Sequence, residues 1–253
     1  MIETGARRDA VTTLGPKGPA PVLILCEHAS NAFPAEFGTL GLDDDARRSH
    51  AAWDPGALDI ARRLSDAWAA PLVHSNVSRL IYDCNRPPEA PDAMPATSEV
   101  YAIPGNRDLT PAERARRTEA IYRPFVAAVD DAIAEAAPGA LVTIHSFTPV
   151  YFGQPRAVEI GILHDADTRL AEALLAEEWG GYDVRANAPY GPDDGVTHSL
   201  KLHALSRGLP NVMIELRNDL LADPAAADAV YAVLEANLVR ALARIGVGLG
   251  EVA

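Results

Sequence analysis

The chain has 253 residues, 48% hydrophobic and 23% charged, which is enough for one sizeable α/β domain with a proper core. Its 22 Lys and Arg residues against 35 Asp and Glu residues give a formal net charge of −13, which argues against binding to nucleic acid or to an anionic membrane, because both need clustered positive charge. The N-terminus lacks the apolar segment of a secretory signal and no apolar run is long enough to span a membrane, so we expect a cytoplasmic protein.

The first part of the chain predicts a strand and a helix, in a single domain over residues 1–253. Residues 1–20 end in a Gly- and Pro-rich segment and are expected to form a flexible lead-in. The apolar run at 21–26 is short enough for a central strand buried on both faces, and a polar cluster at 27–31 follows it. Asp54 stands before a proline, which is typical of a helix start. Its carboxylate is expected either to cap that helix or to face the site as a ligand.

A second strand is expected at 71–74, and the segment after it is rich in polar and charged side chains. Arg79 and Arg86 flank a short apolar run, and two prolines follow Arg86. An arginine held in such a turn suits carboxylate binding, because its planar guanidinium donates two parallel hydrogen bonds. The alternative is that both arginines pair with surface carboxylates. Cys26 and Cys84 each follow an apolar run, so buried free thiols are expected rather than a disulfide.

The rest of the chain alternates between predicted helices and strands. Thr110 and Glu113 form a capping box that opens a helix to about 137, which Pro124 should kink or divide. These elements predict an α/β fold with three layers, in which helices cover both faces of a mainly parallel, mixed sheet. Further strands are expected at 141–147, 157–164 and 211–219, helices at 167–179, 198–207 and 224–245, and a long loop at 89–107.

Three of the strand-like runs end in side chains that can bind a metal ion or transfer a proton. His28, His145 and Glu215 stand at or near these ends, where open α/β sheets bind ligands. A core or capping histidine is the alternative for His145 taken alone. Two imidazoles with one oxygen ligand form a common catalytic zinc set, and Asp54 or Asn31 is the candidate for the oxygen.

A free carboxylate near a metal-bound water is suited to act as a general base, and Glu215 is the candidate for this role. Arg79, Arg86 and Arg217 are expected to hold an anionic substrate. The chain has no G-x-S-x-G motif of serine hydrolases and no G-x-G-x-x-G or phosphate loop of nucleotide sites. His50 stays a candidate because it lies four residues before Asp54. The remaining histidines are expected to be structural or exposed: His74, His164, His198 and His203.

Segments spread over most of the chain resemble the N-formylglutamate amidohydrolase family. The resemblance implies hydrolysis of an N-acyl amino acid, N-formylglutamate in the named members, to a free amino acid and a carboxylic acid. The matching segments are CEHASN at 26–31, HAAWDPGA at 50–57, SRLIYDCNRPP at 78–88, IHSF at 144–147, NAPY at 187–190, GVTH at 195–198 and IELRND at 214–219.

That family is in turn similar to the zinc carboxypeptidase and aminoacylase-like group, which has a phosphorylase/hydrolase-like fold. There, a His-x-x-Glu pair and a later His bind zinc, an Asn-Arg pair holds the substrate carboxylate, and a late Glu is the base. The resemblance implies one zinc ion at His28 and His145, substrate binding by Asn85 and Arg86, and Glu215 as the base. Here Asn31 replaces the ligand Glu, so Asp54 is expected as the third ligand, ahead of Asn31 and Glu27.

The function expected from these features is that of a zinc-dependent amidohydrolase acting on a small acidic N-acyl amino acid. A metallocarboxypeptidase or a deacylase with another acyl group is the alternative within the enzymes. A non-catalytic sensor of an acidic metabolite is the alternative outside them. The expected partner is a small anionic substrate. The sequence does not set the oligomeric state, and a homo-oligomer is one option.

Overall fold

Seven strands pair into one mixed sheet in the computed structural model, which describes residues 10–249. In the sheet they lie in the order β1-β3-β2-β4-β7-β5-β6. Strands β3, β2, β4 and β7 run parallel to one another, whereas β1 and β5 run antiparallel to β3 and β7. The strands are β1 (Val11–Leu14), β2 (Val22–Cys26), β3 (Leu72–Ser75), β4 (Ala140–Phe147), β5 (Ile160–Leu163), β6 (Val184–Ala186) and β7 (Asn211–Arg217).

Helices cover both faces of this sheet, so the prediction of a three-layer α/β/α fold is confirmed. Helices α2, α5 and α6 pack on one face, and α4 packs on the other. Every residue of β2 and β4 is buried, which is why these strands read as continuous apolar runs rather than as alternating patterns. The helices are α1 (Asp44–Arg48), α2 (Ala57–Trp68), α3 (Pro111–Arg117), α4 (Arg123–Ala136), α5 (Arg169–Leu175) and α6 (Pro224–Arg244).

The N-terminal segment differs from the expected flexible lead-in. Val11–Leu14 forms an edge strand whose partner is Leu72–Ser75. The added strand gives the backbone groups along the outer edge of β3 hydrogen-bond partners, which an unpaired edge lacks. Residues 1–9 lie outside the described part of the chain.

Helix α2 begins two residues later than the Asp-Pro signal predicts, at Ala57 rather than at Pro55. Its N-cap is Gly56, with φ of 81°, and no side chain caps the helix. Asp54 is therefore not the cap. Its carboxylate instead points toward two histidines and accepts a hydrogen bond from Ser146 N at 3.3 Å. Glycine suits position 56 because a Cβ there would collide with the side chain of Leu221.

The long helix at 111–136 has the capping box that the sequence predicts, with Thr110 and Glu113 bonded reciprocally. The helix is interrupted by a π turn at Thr118–Tyr122, just before Pro124. A proline has no N–H for the carbonyl four residues earlier, and a widened turn accommodates that loss. The helix expected at 198–207 is a π turn (Leu200–Ala204) followed by a 3₁₀ turn (Leu205–Arg207).

Two short hairpins stand beside the carboxyl ends of the central strands. The expected loop at 89–107 contains the first, Thr97–Ser98 with Tyr101–Ala102. The second pairs Val150–Tyr151 with Gln154–Pro155. Cys26 and Cys84 are both buried and free, as predicted. Among the helices of residues 10–249, none combines the length and the apolar character needed to cross a bilayer.

Candidate active site

The carboxyl ends of β2, β4 and β7 bring His28, His145 and Glu215 to one edge of the sheet. Because β4 and β7 are parallel, their ends meet, and His145 stands opposite Glu215 in the register. Side chains alternate along a strand, so both point to the face that carries Leu141 and Met213. The convergence that the sequence predicts is therefore present in the structure.

Three buried atoms that can each ligate a metal ion face one another at this edge. Nδ1 of His145 lies 2.9 Å from Oδ2 of Asp54, and Nδ1 of His28 lies 3.3 Å from the same oxygen. The two Nδ1 atoms are 3.1 Å apart. His28, Asp54 and His145 form the cluster in the described residues that is suited to hold a metal ion, and all three are buried.

Each of the two rings presents its other nitrogen to a carboxylate. His28 Nε2 donates to Asp83 Oδ1 at 2.6 Å, and His145 Nε2 lies 3.0 Å from Glu27 Oε2. Such outer carboxylates fix the ring orientation and leave Nδ1 free to bind a metal. The sequence suggested Glu27 only as a third ligand, and it did not identify Asp83. Asn31 takes no part, since its amide donates to Arg47 O at 3.2 Å.

The charges of these groups are strongly coupled. Burial alone would raise the pKa of Asp54, but the two imidazole rings outweigh burial and hold the pKa well below its usual range. Burial alone would lower the pKa of His145, but Glu27 and Asp54 outweigh it and raise the pKa well above its usual range. The two carboxylates therefore favour a positive charge between them. A divalent cation would supply the same bridging charge.

Glu215 differs from the other carboxylates of the site. Burial, aided by the charge of Asp54 and opposed by His145, raises the pKa of Glu215 to about 7. Its Oε2 is buried and has no hydrogen-bond partner among residues 10–249. An uncommitted carboxyl group that titrates near neutral pH is the kind of group that acts as a general base.

Two of the predicted substrate-binding residues are used to hold a neighbouring loop. Asn85 donates to Val196 O at 2.5 Å and accepts from Ser199 N at 2.9 Å. Arg86 pairs with Asp92 at 2.6 Å and donates to the carbonyls of residues 194 and 195. Both residues line the cavity, but their polar groups are already committed to protein partners.

The other two predicted arginines lie in different places. Arg79 lines the cavity and donates to Asp83 at 2.9 Å and to Asp54 at 3.4 Å, so it neutralises the carboxylates around the histidines. Arg217 does not line the cavity. It pairs with Glu159 and Asp219, because the last residue of β7 turns its side chain toward the 156–159 segment. The prediction that Arg217 binds substrate is therefore not supported by its position.

A cavity of about 540 Å³ lies over the histidines, a size typical of small-molecule sites. Its wall includes residues that the sequence did not single out as site residues, above all Arg156 and Tyr190. His50, which stayed a candidate, is at the mouth and pairs with Glu99 at 2.6 Å. Arg156 does not follow an apolar strand-like run. The search for polar residues at the ends of such runs, which located the histidines, therefore does not identify it.

Comparison with known proteins agrees with this architecture. The model of the N-formylglutamate amidohydrolase family matches residues 20–222. Among solved structures, a gene product from Agrobacterium tumefaciens is 52% identical, with 97% of this chain and 100% of that chain covered and a TM-score of 0.89. An N-formylglutamate amidohydrolase from Ralstonia eutropha shares the fold at 20% identity, with 94% and 97% covered and a TM-score of 0.63. No curated protein matches the chain significantly.

The match covers the strand ends, Asp54 and the loops that carry the cavity-lining residues. The chain therefore belongs to the N-formylglutamate amidohydrolase family and is a hydrolase that acts on carbon–nitrogen bonds.

Proposed function

We propose that the protein is a zinc-dependent amidohydrolase that cleaves the amide bond of a small anionic N-acyl amino acid, with N-formylglutamate as the leading substrate. The observation that carries the proposal is the convergence of His28, Asp54 and His145 beside the uncommitted carboxyl group of Glu215. Membership of the N-formylglutamate amidohydrolase family supports the choice of substrate.

The donor set fits zinc. Nitrogen and oxygen ligands at about 2.0–2.2 Å from a tetrahedral zinc ion lie about 3.3–3.6 Å from one another. The three atoms of the cluster are slightly closer together, at 2.9 to 3.3 Å. His28, His145 and Asp54 would be the protein ligands, and three such ligands leave a position open toward the cavity. When bound, zinc acts as a Lewis acid that polarises the amide carbonyl and makes water a better nucleophile.

The chain's own groups would carry the proton. Glu215 is proposed to accept a proton from the attacking water and to pass it to the leaving amine. A pKa of about 7 suits both transfers, because the group is then partly ionised near neutral pH. Arg79 is 29% exposed and lines the cavity, so it is proposed to stabilise the developing oxyanion. Asn85 and Arg86 would act indirectly, by holding the 194–199 loop as a wall of the site.

Metal analysis combined with a substrate panel tests the proposal. Purified protein should carry about one zinc per chain. It should hydrolyse N-formyl amino acids, with N-acetyl amino acids and C-terminal dipeptides as comparisons for the deacylase and carboxypeptidase alternatives. Full activity after removal of metal by a chelator would refute zinc dependence. Tight binding of N-formylglutamate by zinc-loaded protein, without turnover of any compound in the panel, would favour the sensor instead.

A further inference from the structure

Three arginines line the cavity, and they differ in how their charge is balanced. Arg79 faces Asp54 and Asp83, and Arg86 pairs with Asp92. Arg156 has no carboxylate within ion-pair distance in the described part of the chain, residues 10–249. In a protein with a formal net charge of −13, an arginine without a counter-charge beside a cavity is unusual. We therefore expect the counter-charge of Arg156 to come from a molecule that binds in the cavity.

Aromatic rings surround the guanidinium of Arg156. Its central carbon lies 4.3 Å from the ring centre of Tyr151, 4.8 Å from that of Tyr190 and 5.6 Å from that of Phe147. The faces of aromatic rings attract cations, so these three residues, here called the aromatic cradle, hold the guanidinium without neutralising its charge. A held guanidinium also loses less conformational freedom when it binds a planar anion.

The hydrogen bonds of Arg156 leave donors available. Nη1 donates to Tyr190 Oη at 3.0 Å and to Thr148 O at 3.4 Å, both uncharged acceptors. No hydrogen bond from Nε or Nη2 is present among residues 10–249. The N–H groups of Nε and Nη2 lie along one edge of the guanidinium plane, where they can bind a carboxylate that enters the cavity.

Arg156 and the proposed base belong to the same cavity wall. Tyr190 is the link, because its hydroxyl accepts a hydrogen bond from Arg156 and its side chain lines the same cavity as Glu215. An anion held by Arg156 would thus extend from the reacting amide toward the aromatic cradle. We infer that Arg156, held in the aromatic cradle, binds the side-chain carboxylate of the substrate and thereby determines the preference for an acidic amino acid, an inference that rests on the proposed function.

The test compares Arg156→Gln with the wild type on three substrates: N-formylglutamate, N-formylglutamine and N-formylglutamate α-amide. Hydrogen bonds to charged groups are worth enough to predict a loss of about 10- to 100-fold in kcat/KM for N-formylglutamate, mainly through KM. The loss should vanish for N-formylglutamine, which lacks the side-chain carboxylate, and persist for the α-amide. A loss that vanishes only for the α-amide would overturn the inference. Arg156→Lys keeps the charge but lacks the planar fork of donors. Its kcat/KM for N-formylglutamate should therefore lie between those of the wild type and Arg156→Gln.

Arg63→Gln is the matched control. Arg63 also lies on a tyrosine ring, at 3.8 Å from Tyr231, and pairs with Asp228 away from the cavity. This variant should have the kcat/KM of the wild type for all three substrates. A uniform loss on all three substrates in Arg156→Gln, or no loss, would overturn the inference and leave the proposed function standing.

A binding measurement separates the inference from the proposed function. Calorimetric titration of N-formylglutamate into the Glu215→Gln protein, with and without Arg156→Gln, measures affinity without turnover. Weaker binding in the double variant supports the inference, and equal affinity overturns it. If wild-type protein turns over none of the N-acyl amino acids, the proposed function fails by that result alone, whatever the titration gives.

Discussion

Glu215 and His145 stand opposite each other on adjacent strands, yet their roles are expected to differ. Replacing His145 by Ala removes one donor of the cluster and should abolish both metal binding and turnover. Glu215→Gln removes the base but no metal donor. It should therefore keep the zinc and lower kcat by about 10²- to 10⁴-fold. Zinc content by elemental analysis and kcat of each variant measure the two effects separately. A fully active Glu215→Gln protein would show that another group is the base.

Asp83 is expected to act on the metal without touching it. It accepts a hydrogen bond from the Nε2–H of His28 and so fixes the ring with Nδ1 toward the cluster. Asp83→Asn keeps the shape but removes the charge, and loss of such an outer partner typically lowers metal affinity about 10- to 100-fold. Competition with a fluorescent zinc chelator measures this change. Asp92→Asn is the matched control, because Asp92 pairs with Arg86 rather than with a histidine. Unaltered affinity in Asp83→Asn would contradict this role.

At the scale of elements, strand β5 carries a glycine where the backbone of a neighbouring loop lies against it. Gly161 lies opposite Glu215 in the antiparallel pairing of β5 with β7. A Cβ at position 161 would collide with the carbonyl oxygen of Ala188 and would lie 3.1 Å from Glu215 Cβ. The glycine therefore allows the backbone before Tyr190 to approach the strand. That approach brings the tyrosine to the cavity.

Gly161→Ala tests this close approach. Overpacking at backbone contacts costs about 1–3 kcal/mol of unfolding free energy, and we expect a loss of that order with reduced kcat/KM. Urea denaturation and steady-state kinetics measure the two effects. Gly191→Ala in the same loop is the control, because a Cβ there meets only Asn187 at 3.6 Å, an ordinary contact distance. Equal behaviour of the two variants would argue against a steric role for Gly161.

Elements also show where local patterns suffice. The apolar runs predicted β2, β4 and β7 to within a few residues, because strands buried on both faces are marked by continuous hydrophobicity. The capping box located the start of α3 for an equally local reason. The Asp-Pro signal placed the start of α2 too early. Asp54 has stronger partners in the two histidines, which are distant in sequence, so a tertiary contact outweighed the local capping preference.

At the scale of the whole molecule, stability should depend on pH through a histidine that is not part of the His28, Asp54 and His145 cluster. Burial, together with the nearby His203, lowers the pKa of His198 to about 4. The unfolded chain has the ordinary value of about 6.5. Below that pH the unfolded state takes up a proton that the folded state does not. The stabilisation is therefore complete above about pH 6.5 and is lost as the pH falls toward 4.

Urea unfolding at pH 7 and at pH 5 measures this loss, and His198→Gln shows how much of it belongs to this residue. The glutamine can keep a hydrogen bond to Tyr122, whose hydroxyl lies 2.8 Å from His198 Nε2. The variant should lose less stability between the two pH values than the wild type does. An identical pH dependence of the two proteins would assign the loss to other groups.

The sequence by itself determined the α/β class, the buried central strands and the identity of the two histidines and the glutamate at the strand ends. Those features depend on short-range patterns and on the rule that parallel strands end at one edge. Only the tertiary structure decided that Asp54 rather than Asn31 or Glu27 lies beside both Nδ1 atoms, and that Asp83 and Glu27 support the outer nitrogens of the rings. It also decided that Arg156 rather than Arg217 lies at the cavity. These outcomes depend on contacts between loop side chains that are far apart in the sequence. A carboxylate or an arginine pairs with the opposite charge or the aromatic ring that the fold places beside it.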